Sequence, residues 1–375
     1  MQRLFLLITV FCLLSLSVPV TAAPAHIGAK AVIVMDATTG RVLFEQNAHE
    51  QLPIASTTKI MTALLALEHP SLNTVFEVDS TAIKVEGSSM GLQEGDTVSL
   101  YTLAQGMLLA SGNDAANAAA VRIAGSVEGF AELMNARAAE LGMLNTSFET
   151  PSGLDGEAHY STAYDMAILA AHALKNPYFS DICSQYRIQV NFGNPPYNRW
   201  LANHNKLLNY YEPAIGVKTG FTKKAGRCLV SAAQRDGITL ICVTLNCPDD
   251  WNVHEQLYEQ CFPMQQIAEL SGNIPTPEIP IAGGTSPFVH AVPYNIAYLP
   301  IPADSAEKMQ YRITAPAFIY APLRSGQPIG QAEIIYDDKI FATFTLVSDR
   351  NVELLYPYEE KTSFWSRILA LCGFD

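Results

Sequence analysis

The chain has 375 residues, 49% of them hydrophobic, so it can bury a large core, and at roughly 150 residues per domain it should hold two domains and not one small binding module. Its formal net charge of −13 would repel a phosphate backbone, which argues against nucleic acid as a partner. There is no HExxH spacing, no CxxC pair and no glycine-rich phosphate loop, so nothing in the sequence calls for a metal or an organic cofactor.

The opening stretch "MQRLFLLITVFCLLSLSVPVTAAPA" has one early cation at Arg3, a long apolar run, and small residues at Thr21, Ala22 and Ala23. It reads as a secretory signal peptide over residues 1–23, the uninterrupted run being short for a membrane span. Its removal leaves Cys183, Cys228, Cys242, Cys247, Cys261 and Cys372. An even number in an exported chain permits disulfides, and a Cys228–Cys242 pair stays open, but burial as small apolar residues suits most of them better.

Along the mature chain, "AVIVM" and "RVLFEQ" flank the turn formers of residues 36–40 and read as a β-hairpin. Residues 56–69, rich in Ala and Leu and stopped near Pro70, read as a helix. Residues 100–175 turn to Ala, Leu, Met and Glu, with breaks at residues 111–113, at Gly125 and at "ETPSGLDGEAHYS", which predicts a helical lobe. Strand character returns in "YRIQV", in "IGVKTGFT" and in two runs around Asp236-Gly237, a strong hairpin signal, before a helix over "DDWNVHEQLYEQCF". The Pro- and Gly-rich "SGNIPTPEIPIAGGTSP" reads as a linker, and the strand-like runs beyond it predict a separate small β domain. The last segment, "KTSFWSRILALCGFD", can gather Phe364, Trp365, Ile368, Leu369 and Cys372 on one side of a helix, with Lys361 and Arg367 available to lipid headgroups. It is too short to span a bilayer; it suits an interfacial anchor or a helix packed on its own domain.

Three short motifs carry possible chemistry. In "IASTTKIM", Ser56 and Lys59 at helical i, i+3 spacing would share a face with β-carbons about 5–6 Å apart. The amine could then take the hydroxyl proton, provided burial among Ile54, Ile60 and Met61, or a second cation nearby, lowers its pKa. The bland alternative is a polar helix start, and SxxK alone matches by chance roughly once in a chain this long. In "MLLASGNDAANAAA", Ser111 could relay a proton from Lys59 and Asn113 could orient the base and hold a substrate amide, although Asn113 or Asp114 also suits a helix cap. In "IGVKTGFT", Lys218 and Thr219 could meet a carboxylate while Gly220 admits another backbone without a Cβ in the way. An exposed edge lysine before a turn glycine is the plainer alternative.

Taken together, S-x-x-K at 56, the Ser-Gly-Asn at 111 and K-T-G at 218 match, in order, the known signature of penicillin-binding proteins and class A β-lactamases. With "IASTTKIMTALLALE", "LLASGNDAANAAA", "PSGLDGEAHYSTAYDMA" and "VKTGFT", the sequence resembles the serine-type D-alanyl-D-alanine carboxypeptidases, the low-molecular-mass penicillin-binding proteins of the peptidase S11 type, over about residues 27–262.

The resemblance implies an α/β (α+β) catalytic domain of the β-lactamase/transpeptidase type at 25–265, with an antiparallel sheet, flanking helices and a helical lobe, then an all-β domain at 275–355 and the amphipathic segment at 361–375. It implies Ser56 as nucleophile and Lys59 as base, with Ser111 and Asn113 also catalytic. Lys218 and Thr219 would hold the terminal carboxylate of a peptidoglycan stem peptide ending in D-Ala-D-Ala, with Lys218 as the second cation. The N–H groups of Ser56 and of a residue near Phe221, just after Gly220, would form the oxyanion hole. β-Lactams would acylate Ser56, and the protein would work outside the cytoplasm at the membrane surface.

Ser-Gly-Asn in place of Ser-Asp-Asn favours the carboxypeptidase branch over class A β-lactamases. Where relatives carry an arginine in an Asn-x-Asn segment, this chain has His204, and no arginine stands near "CPDDWNVHEQ". His159, expected in an Ω-like loop, is read as structural. A D,D-endopeptidase, a transpeptidase, a β-lactamase or a non-catalytic wall-binding scaffold would use the same fold.

Overall fold

The run "AVIVMD" forms β1 (Ala31–Asp36), buried at every position because both of its faces are covered, which is why it shows no polar alternation. It pairs antiparallel with β2 (Val42–Gln46), the expected hairpin. The computed structural model describes residues 27–303, 305 and 308–356; the leader at 1–23 and the segment at 361–375, Cys372 included, lie outside these residues.

From β2 the chain passes a 3-10 turn at Ala55–Thr58 into α1 (Lys59–Glu68), then β3 (Phe76–Glu77), β4 (Thr97–Val98) and the helical lobe. The lobe comprises α2 (Leu100–Leu108), α3 (Asn113–Ala124), α4 (Val127–Glu140), α5 (Ala163–Ala173) and α6 (Pro177–Ser184). Its helices start where caps dictate: Ser99, Ser126, Thr162 and Asn176 each accept a backbone N–H from the first turn. α1 is buried almost all round, as befits a helix enclosed by α2, α3 and α5.

The hairpin β5 (Arg187–Gly193) and β6 (Pro196–Ala202) and the short α7 (Leu207–Tyr210) lead to β7 (Ala214–Thr222), β8 (Gly226–Arg235), β9 (Ile238–Leu245) and α8 (Asp250–Cys261). Asp236 (φ 50°) and Gly237 (φ 81°) make the tight turn between β8 and β9 that Asp-Gly predicts. The five-stranded antiparallel sheet runs β2-β1-β9-β8-β7, leaving β7 at an edge. α5 covers one face across β1 and β9, and α8 covers the other across β8 and β9.

Beyond it, β10 (Gln265–Glu269), β11 (Glu278–Ala282), β12 (Phe288–Pro293), β13 (Tyr298–Pro302), β14 (Gln310–Thr314), β15 (Ile319–Tyr320), β16 (Pro328–Tyr336) and β17 (Lys339–Ser348) build an all-β unit. Its six-stranded sheet has the order β14-β16-β17-β12-β11-β15, and β10 pairs with β13. It has a core of its own around Ile279, Val289, Ile334 and Leu346. The segment read as a linker is more ordered than its Pro and Gly content suggests, since β11 lies within it. Arg41, in the β1–β2 turn, ties the two units by donating to Gln265 (3.1 Å) and lying over the Tyr336 ring.

The five described cysteines are free and buried, so the open Cys228–Cys242 pairing does not form. Burial pushes the Cys183 and Cys228 thiols up to about 12, which leaves them as packing residues with little thiolate character.

Candidate active site

Ser56 lies in the 3-10 turn and α1 begins at Lys59, three residues later than the sequence suggests. Its hydroxyl does not cap the helix, because it meets the Lys59 amine at 2.9 Å. The turn is set by Ala55, a non-glycine residue at φ 48°, and Ser111 has the same left-handed backbone at φ 58°. Such conformations cost on the order of 1 kcal/mol each and persist where the surroundings enforce them.

Lys59 is fully buried. Its Nζ donates to Asn113 Oδ1 (2.6 Å) and to the Ser152 carbonyl (2.6 Å) as well as facing Ser56. Desolvation, and after it the cation of Lys218, holds its pKa well below the ordinary lysine value, while Asp114 acts in the opposite sense. An uncharged amine has two N–H groups and one lone pair. In that uncharged form the two carbonyl oxygens take the two N–H groups, and the lone pair is left for the Ser56 hydroxyl.

The Ser152 carbonyl is delivered by the "PSGLDG" loop. Thr62 on α1 donates to Pro151 O (2.6 Å), and Gly153 (φ +81°) lies so close to the 3-10 turn that a Cβ there would sit 2.0 Å from Ala55 O. His159 braces the same corner: its Nδ1 accepts from Glu149 N (3.0 Å), so Nε2 carries the proton and meets Thr58 Oγ1 at 2.8 Å. Thr58 in turn donates to Ala55 O. Burial lowers the His159 pKa to about 4, and the ring touches the site only through Thr58, in keeping with its structural reading.

β7 forms the other wall. Gly220 faces the 3-10 turn so closely that a Cβ would lie 3.0 Å from Ile54 O, Ser56 N and Thr57 N. Lys218 is only 1% exposed, which overturns the exposed-edge alternative. Its Nζ donates to Thr219 O (2.8 Å), and burial lowers its pKa to about 7. Phe221, next along the strand, is 66% exposed on the rim. His204 is held between two buried asparagines: Asn203 donates to Cys183 O and Gln185 O, and Asn205 to Gly216 O. Exposed to solvent, His204 nonetheless has a lowered pKa, through partial desolvation and then through the nearby Lys218 and, in its protonated form, Lys59. Arg227 on β8, paired in register with Phe221, is the arginine that comes near "CPDDWN", but it is engaged by Asp250 (2.6 Å).

Ser56, Lys59 and Asn113 are thus joined by hydrogen bonds, with Lys218 coupled to Lys59 through space and Gly220 against the 3-10 turn that carries Ser56. Ser111 stands two residues before Asn113 and, among the described residues, makes no hydrogen bond to Lys59. Sequence reasoning missed Ser152, whose backbone carbonyl carries no residue-specific signal, and saw Asp114 only as a possible cap.

A half-buried serine against a fully buried lysine, between a helical lobe and the edge of an antiparallel sheet, defines an active-site serine enzyme of the penicillin-recognising fold. The peptidase S11 family, described as D-alanyl-D-alanine carboxypeptidase, matches residues 18–249, and the chain belongs to that family. The C-terminal domain of penicillin-binding protein 5 matches residues 272–354. The Bacillus subtilis D-alanyl-D-alanine carboxypeptidase DacF is 32% identical over 86% of this chain and 85% of its own. The Mycobacterium tuberculosis D-alanyl-D-alanine carboxypeptidase DacB2 is 34% identical over 68% of this chain and 88% of its own. Among solved structures, penicillin-binding protein 5 from Haemophilus influenzae aligns over 88% of this chain and 99% of its own, with a TM-score of 0.71 and 28% identity.

Proposed function

We propose that this enzyme is a serine D,D-carboxypeptidase that removes the terminal D-alanine from peptidoglycan stem pentapeptides through an ester on Ser56. The observation that carries the reading is the set of Lys59 contacts, two carbonyl acceptors and one hydroxyl around a buried amine of lowered pKa. Ser56 gives its proton to Lys59 Nζ as Oγ attacks the carbonyl carbon between the two D-alanines. The oxyanion is held by the N–H groups of Ser56 and Phe221, a reading supported by the approach of β7 to the 3-10 turn. The tetrahedral species collapses, the C–N bond breaks, and the proton passes from Lys59, through Ser111, to the departing D-alanine amine. Water, deprotonated by Lys59, then hydrolyses the ester and restores Ser56.

Lys218 and Thr219 bind the terminal carboxylate, and the open edge of β7 lets the peptide lie as an added strand. Penicillins acylate Ser56 by presenting a carbonyl and a carboxylate in the same relation. The enzyme acts outside the cytoplasm after removal of residues 1–23, held at the membrane surface by residues 361–375. Among the described residues no helix is long and apolar enough to cross a membrane. Incubating the purified protein with a peptide ending in D-Ala-D-Ala should release D-alanine, and Ser56→Ala should abolish both release and labelling by fluorescent penicillin. Labelling without D-alanine release would make hydrolysis the wrong assignment.

A further inference from the structure

The loop at residues 86–92 is a part of the active site that the three motifs do not describe. Asp114, 2% exposed in the first turn of α3, gathers it. One carboxylate oxygen accepts from Met90 N (2.9 Å) and Ala115 N (2.9 Å), and the other from Ser89 Oγ (2.5 Å), Gly91 N (3.1 Å) and Leu92 N (3.0 Å). Four of these five donors come from residues 89–92, so one buried anion fixes the fold of the loop.

The same loop presents its carbonyls to Asn113. Asn113 N donates to Ser88 O (2.7 Å), and the side-chain Nδ2 donates to Glu86 O (2.6 Å). Gly87 (φ +93°) allows the approach, since a Cβ there would lie 2.7 Å from Asn113 Nδ2. With its NH2 group committed to Glu86 O, the amide has one orientation, oxygen toward Lys59. The reversed amide would set two oxygens against each other at Glu86 and aim an N–H at Lys59, where it would occupy the lone pair that Ser56 needs.

We propose that Asp114 is a positioning residue which, through the 86–92 loop, locks the Asn113 amide with its oxygen on Lys59 and so keeps the Lys59 lone pair directed at Ser56. The inference rests on the reading of Lys59 as the base. The carboxylate also offsets part of the lowering that burial and Lys218 impose on the Lys59 amine. Asp114 touches neither substrate nor the reacting atoms; it acts through Asn113.

The test is a double-variant cycle on acylation of Ser56 by fluorescent penicillin, resolved by stopped flow into the dissociation constant of the pre-covalent complex and the acylation rate constant. Asp114→Asn is close to isosteric but turns one oxygen into a donor facing backbone N–H groups. In the wild-type background it should slow acylation by roughly 10- to 100-fold, as a small misplacement of catalytic groups does. The pre-covalent dissociation constant should stay within about twofold. In an Asn113→Ala background, with rates compared on the plateau of each pH profile so that the through-space effect of the carboxylate on the Lys59 pKa drops out, the same substitution should change the rate by less than about twofold.

An unchanged rate in a folded Asp114→Asn protein, or an equal loss in both backgrounds, would overturn the proposal. Thermal melting establishes that each variant is folded. Should Asp114→Asn not fold, Ser89→Ala removes one donor to the carboxylate, and the cycle run on it must give the same non-additivity or the proposal fails. Lys59→Ala separates the two levels: wild-type acylation without Lys59 sinks the base assignment itself. Dependence on Lys59 with indifference to Asp114 sinks only this inference.

Discussion

Replacing Lys218 by Met should make the enzyme worse and the fold more stable. Lys218 is a buried amine whose hydrogen-bond partner is the carbonyl of the next residue, and among the described residues it has no counter-ion contact. Its folded pKa of about 7 lies below the ordinary lysine value of 10.5, so from about pH 7 to 10.5 the unfolded chain binds more protons and stability rises with pH. Below about pH 7 the full penalty is present, on the order of 3–5 kcal/mol at 1.36 kcal/mol per unit. Lys218→Met removes that penalty, and its advantage should shrink as pH rises toward 10.5.

A charged hydrogen bond to a carboxylate contributes about 1.5–3 kcal/mol, so loss of the cation should lower kcat/KM for a D-Ala-D-Ala acid by roughly 10- to 150-fold. The same peptide with its C-terminus amidated lacks the partner charge and should be little affected. The assay is D-alanine or D-alaninamide release at pH 6.5, where most of Lys218 is charged, beside urea unfolding at pH 6 and pH 9. An acid-to-amide preference that survives Lys218→Met would refute the carboxylate role, and a variant that loses stability at pH 6 would refute the buried-cation argument.

Gly153→Ala places a Cβ 2.0 Å from Ala55 O, so it should push the Ser152 carbonyl off Lys59 and slow penicillin acylation by roughly tenfold or more, with wild-type labelling counting against the Ser152 contact. His254, fully buried between Ser231 and Thr244, has its pKa lowered to about 3. The unfolded chain therefore binds more protons below about pH 6.5, and up to about 4–5 kcal/mol of stability should drain away between pH 6.5 and 3. His254→Gln should flatten the fall in urea midpoint between pH 7 and pH 4, and an equally steep fall would contradict the assignment. Deleting residues 362–375 should release the mature protein from membranes on sedimentation, and unchanged sedimentation would count against an interfacial anchor.

The site was legible in the sequence where side chains carry the chemistry and opaque where backbone does. Ser56, Lys59, Asn113 and Lys218 are spelled out because each needs its own functional group, and their order was enough to bring them together. The third partner of Lys59 is a carbonyl, which every residue possesses, so only the fold reveals Ser152. Lys218 looked as suited to solvent as to a pocket, because strand alternation does not say which face of an edge strand is covered. In the fold, apolar runs and the Asp236-Gly237 turn predicted β1, β8 and β9, whereas β6 escaped notice. Its "PYNRWLA" is exposed over most of its length and, among the described residues, paired only to β5, so it lacks the apolar alternation that marks a half-buried strand. The helix read from residue 56 begins at Lys59, because the left-handed Ala55 and the bond from Thr57 Oγ1 to Ile54 O wind the preceding residues into a 3-10 turn.

Acylation at Ser56 turns on the protonation state of one amine. Titration of the Lys59 Nζ resonance by NMR in protein labelled with nitrogen-15 lysine, assigned by its disappearance in Lys59→Met, measures that state directly. It should lose its proton far below the ordinary lysine range, and move closer to that range in Lys218→Met as the neighbouring cation is removed. An Nζ that stays charged until ordinary lysines titrate would leave Ser56 without a base.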